Sequence, residues 1–168
     1  MVSTSRLVKA KGIGEMIEAF KLVDDANAKL KICGDGPDAA YFRSLASGIS
    51  NIEFLGHVED VVQILRESDI LVHPSYHEGF GLSLVEAEMC GLPIIACNVG
   101  SIPEIVKDGT SGILVEPKNV DDLAKAMALL IKSHKLRIDM GQAGRKIFLD
   151  NFQFDRIVQE KFLPIYYL

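Results

Sequence analysis

Short apolar runs recur along this chain with amphipathic segments between them, and that alternation restricts the fold more than any other feature. The runs are "AKLKIC" (28–33), "NIEFLG" (51–56), "DILVHPS" (69–75), "LPIIAC" (92–97) and "GILVEP" (112–117). Each is strand-sized and closes on Gly, Pro or Asn. Between them, Ile13, Met16, Ile17, Phe20 and Val23 keep the three-and-four spacing of an amphipathic helix. "DAAYFRSLAS", "EDVVQILRES", Ser83 to Cys90, "SIPEIVKDG" and "NVDDLAKAMALLIKS" read as further helices, and one more strand opens the chain. Strands alternating with helices require a parallel sheet covered on both faces. The prediction is a doubly wound, Rossmann-like α/β fold of about six strands over residues 1–133, with a tail of two or three helices over 134–168. At 168 residues, 48% of them hydrophobic, the chain has material for one core.

The formal net charge of -5 argues against a nonspecific nucleic-acid binder, which needs a surplus of Lys and Arg. Cys33, Cys90 and Cys97 are odd in number, sit in apolar surroundings and lack Cys-x-x-Cys spacing. They read as core thiols of a reducing, cytoplasmic compartment. No apolar run approaches the roughly 18 residues of a membrane helix. The N-terminal "MVSTSRLVKAKG" lacks the layout of a signal peptide.

In open sheets of this kind ligands sit at the carboxyl ends of the strands, where loops lead into helix N-termini. Five such loops carry the polar and glycine-rich peculiarities: "RLVKAKG", "GDGPD", "GHVED", "PSYHEGFG" and "NVGSIPE". In "HEGFGLSLVEAE", Gly79 and Gly81 allow a tight turn, and a helix starting near Leu82 leaves its first N–H groups unpaired. Those donors and the helix dipole suit a phosphate or diphosphate. Glu78 and Glu86 lie about 12 Å apart if the segment is wholly helical. As hydrogen-bond acceptors they suit sugar hydroxyls at the two ends of such a group. The same spacing also suits a plain strand-to-helix turn with glutamates on a solvated face. Arg6 and Lys11 place two cations in the first loop, where they can neutralise a diphosphate or lie free on the surface. "CGDGPD" reads as a structural turn with Asp35 as a helix cap, or as a wall for a flat base. His77 is pocket lining at best, His57 and His73 are read as structural, and Asp121-Asp122 as a helix cap rather than a metal site.

Taken together these pieces resemble the C-terminal half of a retaining glycosyltransferase of the GT-B architecture, the group known as glycosyl transferases group 1. The likeness runs from "SRLVKAKG" through "LKICGDGP", "IEFLGHV", "DILVHPSYHEGFGLSLVEAEMCGLPIIA" and "IPEIVKDGTSGILVEP" to "RKIFLDNFQF". Its most specific part is the pair of glutamates separated by seven residues, Glu78 and Glu86. Ser5 and Ser101 stand where the family usually has glycine, and Glu88 is an unusual residue for its helix.

The resemblance implies a site for a UDP- or GDP-linked sugar. Arg6 and Lys11 would hold the diphosphate and stabilise it as leaving group. Glu78, with the backbone of Gly79, Phe80, Gly81 and Leu82, would touch the sugar and phosphates, while Glu86 would take the ribose hydroxyls. Gly34 and Val58 would border the base. It implies no bound metal and no cofactor. It also implies a partner, an N-terminal domain or subunit carrying the acceptor site, without which little transfer is expected. The full enzyme would be cytoplasmic or peripheral at the inner membrane, any membrane contact lying in that other half. A non-catalytic scaffold built on the same fold is the alternative; a GT-B epimerase or phosphorylase rests on fold alone.

Overall fold

In a computed structural model, which describes residues 1–152, the apolar runs become the strands of one sheet, whose central strands are buried on both sides. All residues of Leu71–His73 and Ile94–Cys97 are buried, so these segments read as nearly continuous apolar runs, in which His73 is the one polar residue. The strands are β1 Val2–Thr4, β2 Leu30–Cys33, β3 Ile52–Gly56, β4 Leu71–His73, β5 Ile94–Cys97 and β6 Gly112–Val115. The helices are α1 Ile13–Lys21, α2 Ala39–Leu45, α3 Val61–Arg66, α4 Leu82–Cys90, α5 Ile102–Ile105, α6 Val120–Lys132 and α7 His134–Asn151. Every strand pair is parallel, in the order β3-β2-β1-β4-β5-β6. The fold is the doubly wound, Rossmann-like α/β sheet that the alternation predicts.

Two apolar layers cover the sheet. Ile17, Phe20, Phe42 and Met127 bring α1, α2 and α6 onto one face against Ile32 and Ile95. Leu65, Leu84, Ala87 and Ile105 bring α3, α4 and α5 onto the other against Leu71 and Ile94. The chain runs outward from β1 to β3 and then returns to β4 on the other side of β1. The crevice between the carboxyl ends of β1 and β4 is therefore the switch point where such sheets bind ligands.

Two capping expectations are corrected. Asp35 does not cap α2: its Oδ1 accepts from Gly36 N at 2.7 Å, and the N-cap position belongs to Asp38. The cap of α6 is Asn119, whose side chain accepts from Asp122 N at 3.1 Å and donates to Asp122 Oδ2 at 2.6 Å. Asp122 thus completes a reciprocal cap begun by Asn119. The first helix of the predicted tail is α7; the rest of that tail, from residue 153, lies outside the described residues.

Helix α7 lies across α4 and covers Glu88, which is fully buried. Glu88 Oε1 accepts from Ser111 Oγ at 3.3 Å, while Oε2 has no partner among the described residues. Burial pushes this carboxyl up to about 7. This residue, unusual for its helix, thus faces α7.

Candidate functional site

The loop from β4 to α4 decides the chemistry of the crevice. Gly81 has φ 81°, a left-handed conformation that costs a side-chain-bearing residue strain, and it turns the chain into α4 with no side-chain cap. Leu84 and Val85 N–H both return to the Gly81 carbonyl. Among the described residues, the amides of Gly79, Phe80, Gly81, Leu82 and Ser83 donate to no protein oxygen. Five consecutive free donors at the positive end of a helix form an anion-binding surface. Gly79 has neither positive φ nor neighbours that a Cβ would meet, so nothing within the fold demands a glycine there.

The loop after β1 faces this turn. Tyr76 N donates to Ala10 O at 2.9 Å and ties the two loops together. Gly34, at the end of β2, has φ 130°, and a Cβ there would lie 1.9 Å from the Ser5 carbonyl. That close approach brings the β2 loop against the β1 loop.

Two adjoining cavities result. One, about 340 Å³, is lined by Gly34, His57, Val58 and Glu86; the other, about 310 Å³, by Lys11, His73, Glu78 and Gly79 to Gly81. Thr4, Ser5, Arg6, Leu82 and Ser83 line both and form their boundary. All ten residues singled out in the sequence therefore converge on one crevice, with Glu86 at one end and Glu78 at the other. A larger cavity of about 450 Å³ lies at the opposite edge of the sheet, near Met1 and Ile70, and shares none of these residues.

Charge is distributed unevenly. Arg6 is exposed, and its guanidinium forms no ion pair or hydrogen bond among the described residues. Lys11 instead donates to Glu78 Oε2 at 2.9 Å, so one of the two predicted diphosphate cations already has a carboxylate partner. His73 Nε2 meets the same oxygen at 2.8 Å, and Ser83 Oγ lies 3.3 Å from His73 Nδ1. Burial pushes Glu78 upward, but the hydrogen bonds from Lys11 and His73 outweigh it and hold the carboxyl below its ordinary value. Burial lowers His73 despite the neighbouring carboxylate. Glu86 has no hydrogen-bond partner among the described residues, and burial alone raises it.

Two histidines were read as structural and belong to the crevice. His57 is exposed on the wall of the Glu86 cavity. His73 is 97% buried (relative exposure 3%) yet is bonded to Glu78; only its position five residues before Glu78, across a turn, hints at this. His77 is exposed, and its carbonyl accepts from Ser75 Oγ at 2.8 Å. Among the described residues no group of three or more His, Cys, Asp or Glu is placed to hold a metal ion, and no helix is long and apolar enough to cross a membrane.

The model of the family described as "Glycosyl transferases group 1" matches residues 1–147. This chain belongs to that family. It is 33% identical over 171 residues to the N-acetyl-alpha-D-glucosaminyl L-malate synthase of Bacillus anthracis, an alignment covering 99% of this chain and 45% of that protein. It superposes on Anabaena Alr3699/HepE, solved in complex with UDP, with TM-score 0.89 and 26% identity over 99% of this chain and 48% of that one. The C-terminal domain of a glycosyl transferase group 1 family protein, LpcC, from Francisella tularensis matches with TM-score 0.82 and 30% identity, over 91% of this chain and 86% of that domain. The chain spans about half the length of the curated relatives it matches. It has the fold of one half of a GT-B glycosyltransferase.

Proposed function

We propose that this chain binds the nucleotide-sugar donor of a retaining glycosyltransferase, a UDP- or GDP-linked sugar, through the crevice between β1 and β4. The observation that carries this reading is the run of five amides from Gly79 to Ser83, which, like the bordering Arg6 guanidinium, have no partner among the described residues and lie between two carboxylates in separate cavities. A diphosphate accepts from the amides and from Arg6, which in turn stabilise the charge that develops on it as the glycosidic bond breaks. Glu86, with Gly34 and Val58, takes the nucleoside end; Glu78 takes the sugar end. Because protein donors neutralise the diphosphate, the reaction proposed here uses no metal and no cofactor.

Acceptor binding is assigned to an N-terminal domain or subunit that faces this rim. The 168-residue chain alone then binds donor and transfers little, since half of the cleft is supplied by the partner. Titration calorimetry of the chain with UDP and GDP tests the reading. One nucleotide binds, and Arg6→Ala and Glu86→Ala each weaken it about tenfold or more, as expected for hydrogen bonds involving charged groups. Equal affinity in the wild type and both variants contradicts it.

A further inference from the structure

His73 has no part in the donor contacts just described, yet it is a deeply buried ionisable group lining the crevice. Its ring bridges Glu78 Oε2 at 2.8 Å and Ser83 Oγ at 3.3 Å, and Lys11 Nζ reaches the same Glu78 oxygen at 2.9 Å. Glu78 Oε1 accepts no hydrogen bond among the described residues. We propose that His73 is a positioning residue: with Lys11 it pins one oxygen of Glu78, so that the other is presented to a hydroxyl of the donor sugar. The identity of that ligand rests on the donor reading above; the geometry of the pin does not.

The chemistry fixes the direction of each bond. An ionised carboxylate only accepts, so the ring nitrogen facing Glu78 carries the proton. Burial keeps the imidazole neutral, which leaves Nδ1 as an acceptor. Ser83, near the start of α4, then donates its hydroxyl proton inward to Nδ1. Among the described residues the ionisable side chain bonded to the ring is Glu78, and the Lys11 ammonium acts on it through space from the same Glu78 oxygen. Two donors on one oxygen remove the rotational freedom of the carboxylate. A sugar hydroxyl thus meets an acceptor already oriented, and the entropy of ordering it is not lost on binding.

Nuclear magnetic resonance on the 168-residue chain tests the pin without ligand. Long-range proton–nitrogen correlations are expected to show His73 as the Nε2–H tautomer at pH 7; an Nδ1–H tautomer or an imidazolium overturns the proposal. Glu78 should titrate below the ordinary carboxylate range in the wild type and in His73→Gln, whose amide reaches the Nε2 position. It should titrate higher in His73→Asn, whose shorter amide sits at the Nδ1 position. Affinity for UDP should be the same within about twofold in all three proteins, while the additional affinity of UDP-glucose over UDP should fall about tenfold in His73→Asn only. Gln and Asn variants that behave alike overturn the positioning role. If UDP does not bind the wild type, the donor reading fails, and the tautomer and the Glu78 titration still decide the pin.

Discussion

Glu78 and Glu86 stand at opposite ends of one crevice and are prepared in opposite ways. Glu78 is held by Lys11 and His73 and is stabilised in its ionised form. Glu86 has no hydrogen-bond partner among the described residues and is raised by burial alone. The difference shows that the Glu78 end of the crevice is set by the fold, whereas the Glu86 end has no protein partner among the described residues. Glu88, two residues further along α4, is a third case: it is wholly buried, faces α7 and lies outside the crevice.

Substitutions at these three positions separate the cases. Glu78→Ala leaves the Lys11 ammonium and the buried His73 ring without their acceptor. It should lower stability in urea unfolding by about 2–3 kcal/mol, less than the roughly 3–5 kcal/mol of a fully buried pair because Lys11 is 26% exposed. The loss should also depend on pH. A carboxyl lowered in the folded state stabilises it above the ordinary range and ceases to do so as pH falls through the folded value. A wild-type-like unfolding midpoint at pH 7 breaks the comparison.

Glu88 has the opposite sign. Its folded value of about 7 lies above the ordinary 4.5, so its neutral form favours folding fully below pH 4.5. That contribution is lost as pH rises through the folded value. Glu88→Gln, which removes the charge, should flatten this part of the profile and stabilise the chain at pH 8 by about 1–3 kcal/mol. An unchanged pH slope would place the carboxylate in contact with water. The smallest effect on the fold belongs to Glu86→Gln. It should move stability by no more than about 0.5 kcal/mol, while UDP affinity falls about tenfold. A stability loss as large as that of Glu78→Ala would make the two ends equivalent.

The sheet was legible because a parallel strand buried on both faces leaves an almost continuous apolar run, as the central β4 and β5 do, and the flanking strands keep enough of that pattern to be recognised. The rim was legible from the glycines and charges after those runs, and the family resemblance places the same ten residues there. Partnership was less legible. Nothing in the spacing of Lys11 and Glu78, 67 residues apart, states that they pair. A histidine within "ILVHPS" looks like core, because burial dominates the local pattern and the bond to Glu78 depends on how the next turn folds back. The capping errors have a similar origin: Asp35 and Asp121-Asp122 are cap-type residues, but the dihedral angles that decide which residue caps come from the loop as a whole. Gly79 lies in a bend, as its reading as a turn residue expects, but its φ is not positive and its surroundings are open. Its lack of a side chain matters only to something that approaches from outside.

The most direct test follows the backbone amides of the 168-residue chain during titration with UDP. Gly79, Phe80, Gly81, Leu82 and Ser83 are expected to shift together with Arg6 and Glu86, while the amino-terminal edge of the sheet around Met1 and Ile70 stays unchanged. Saturable binding that moves the edge near Ile70 and leaves Gly79 to Ser83 unchanged would contradict it.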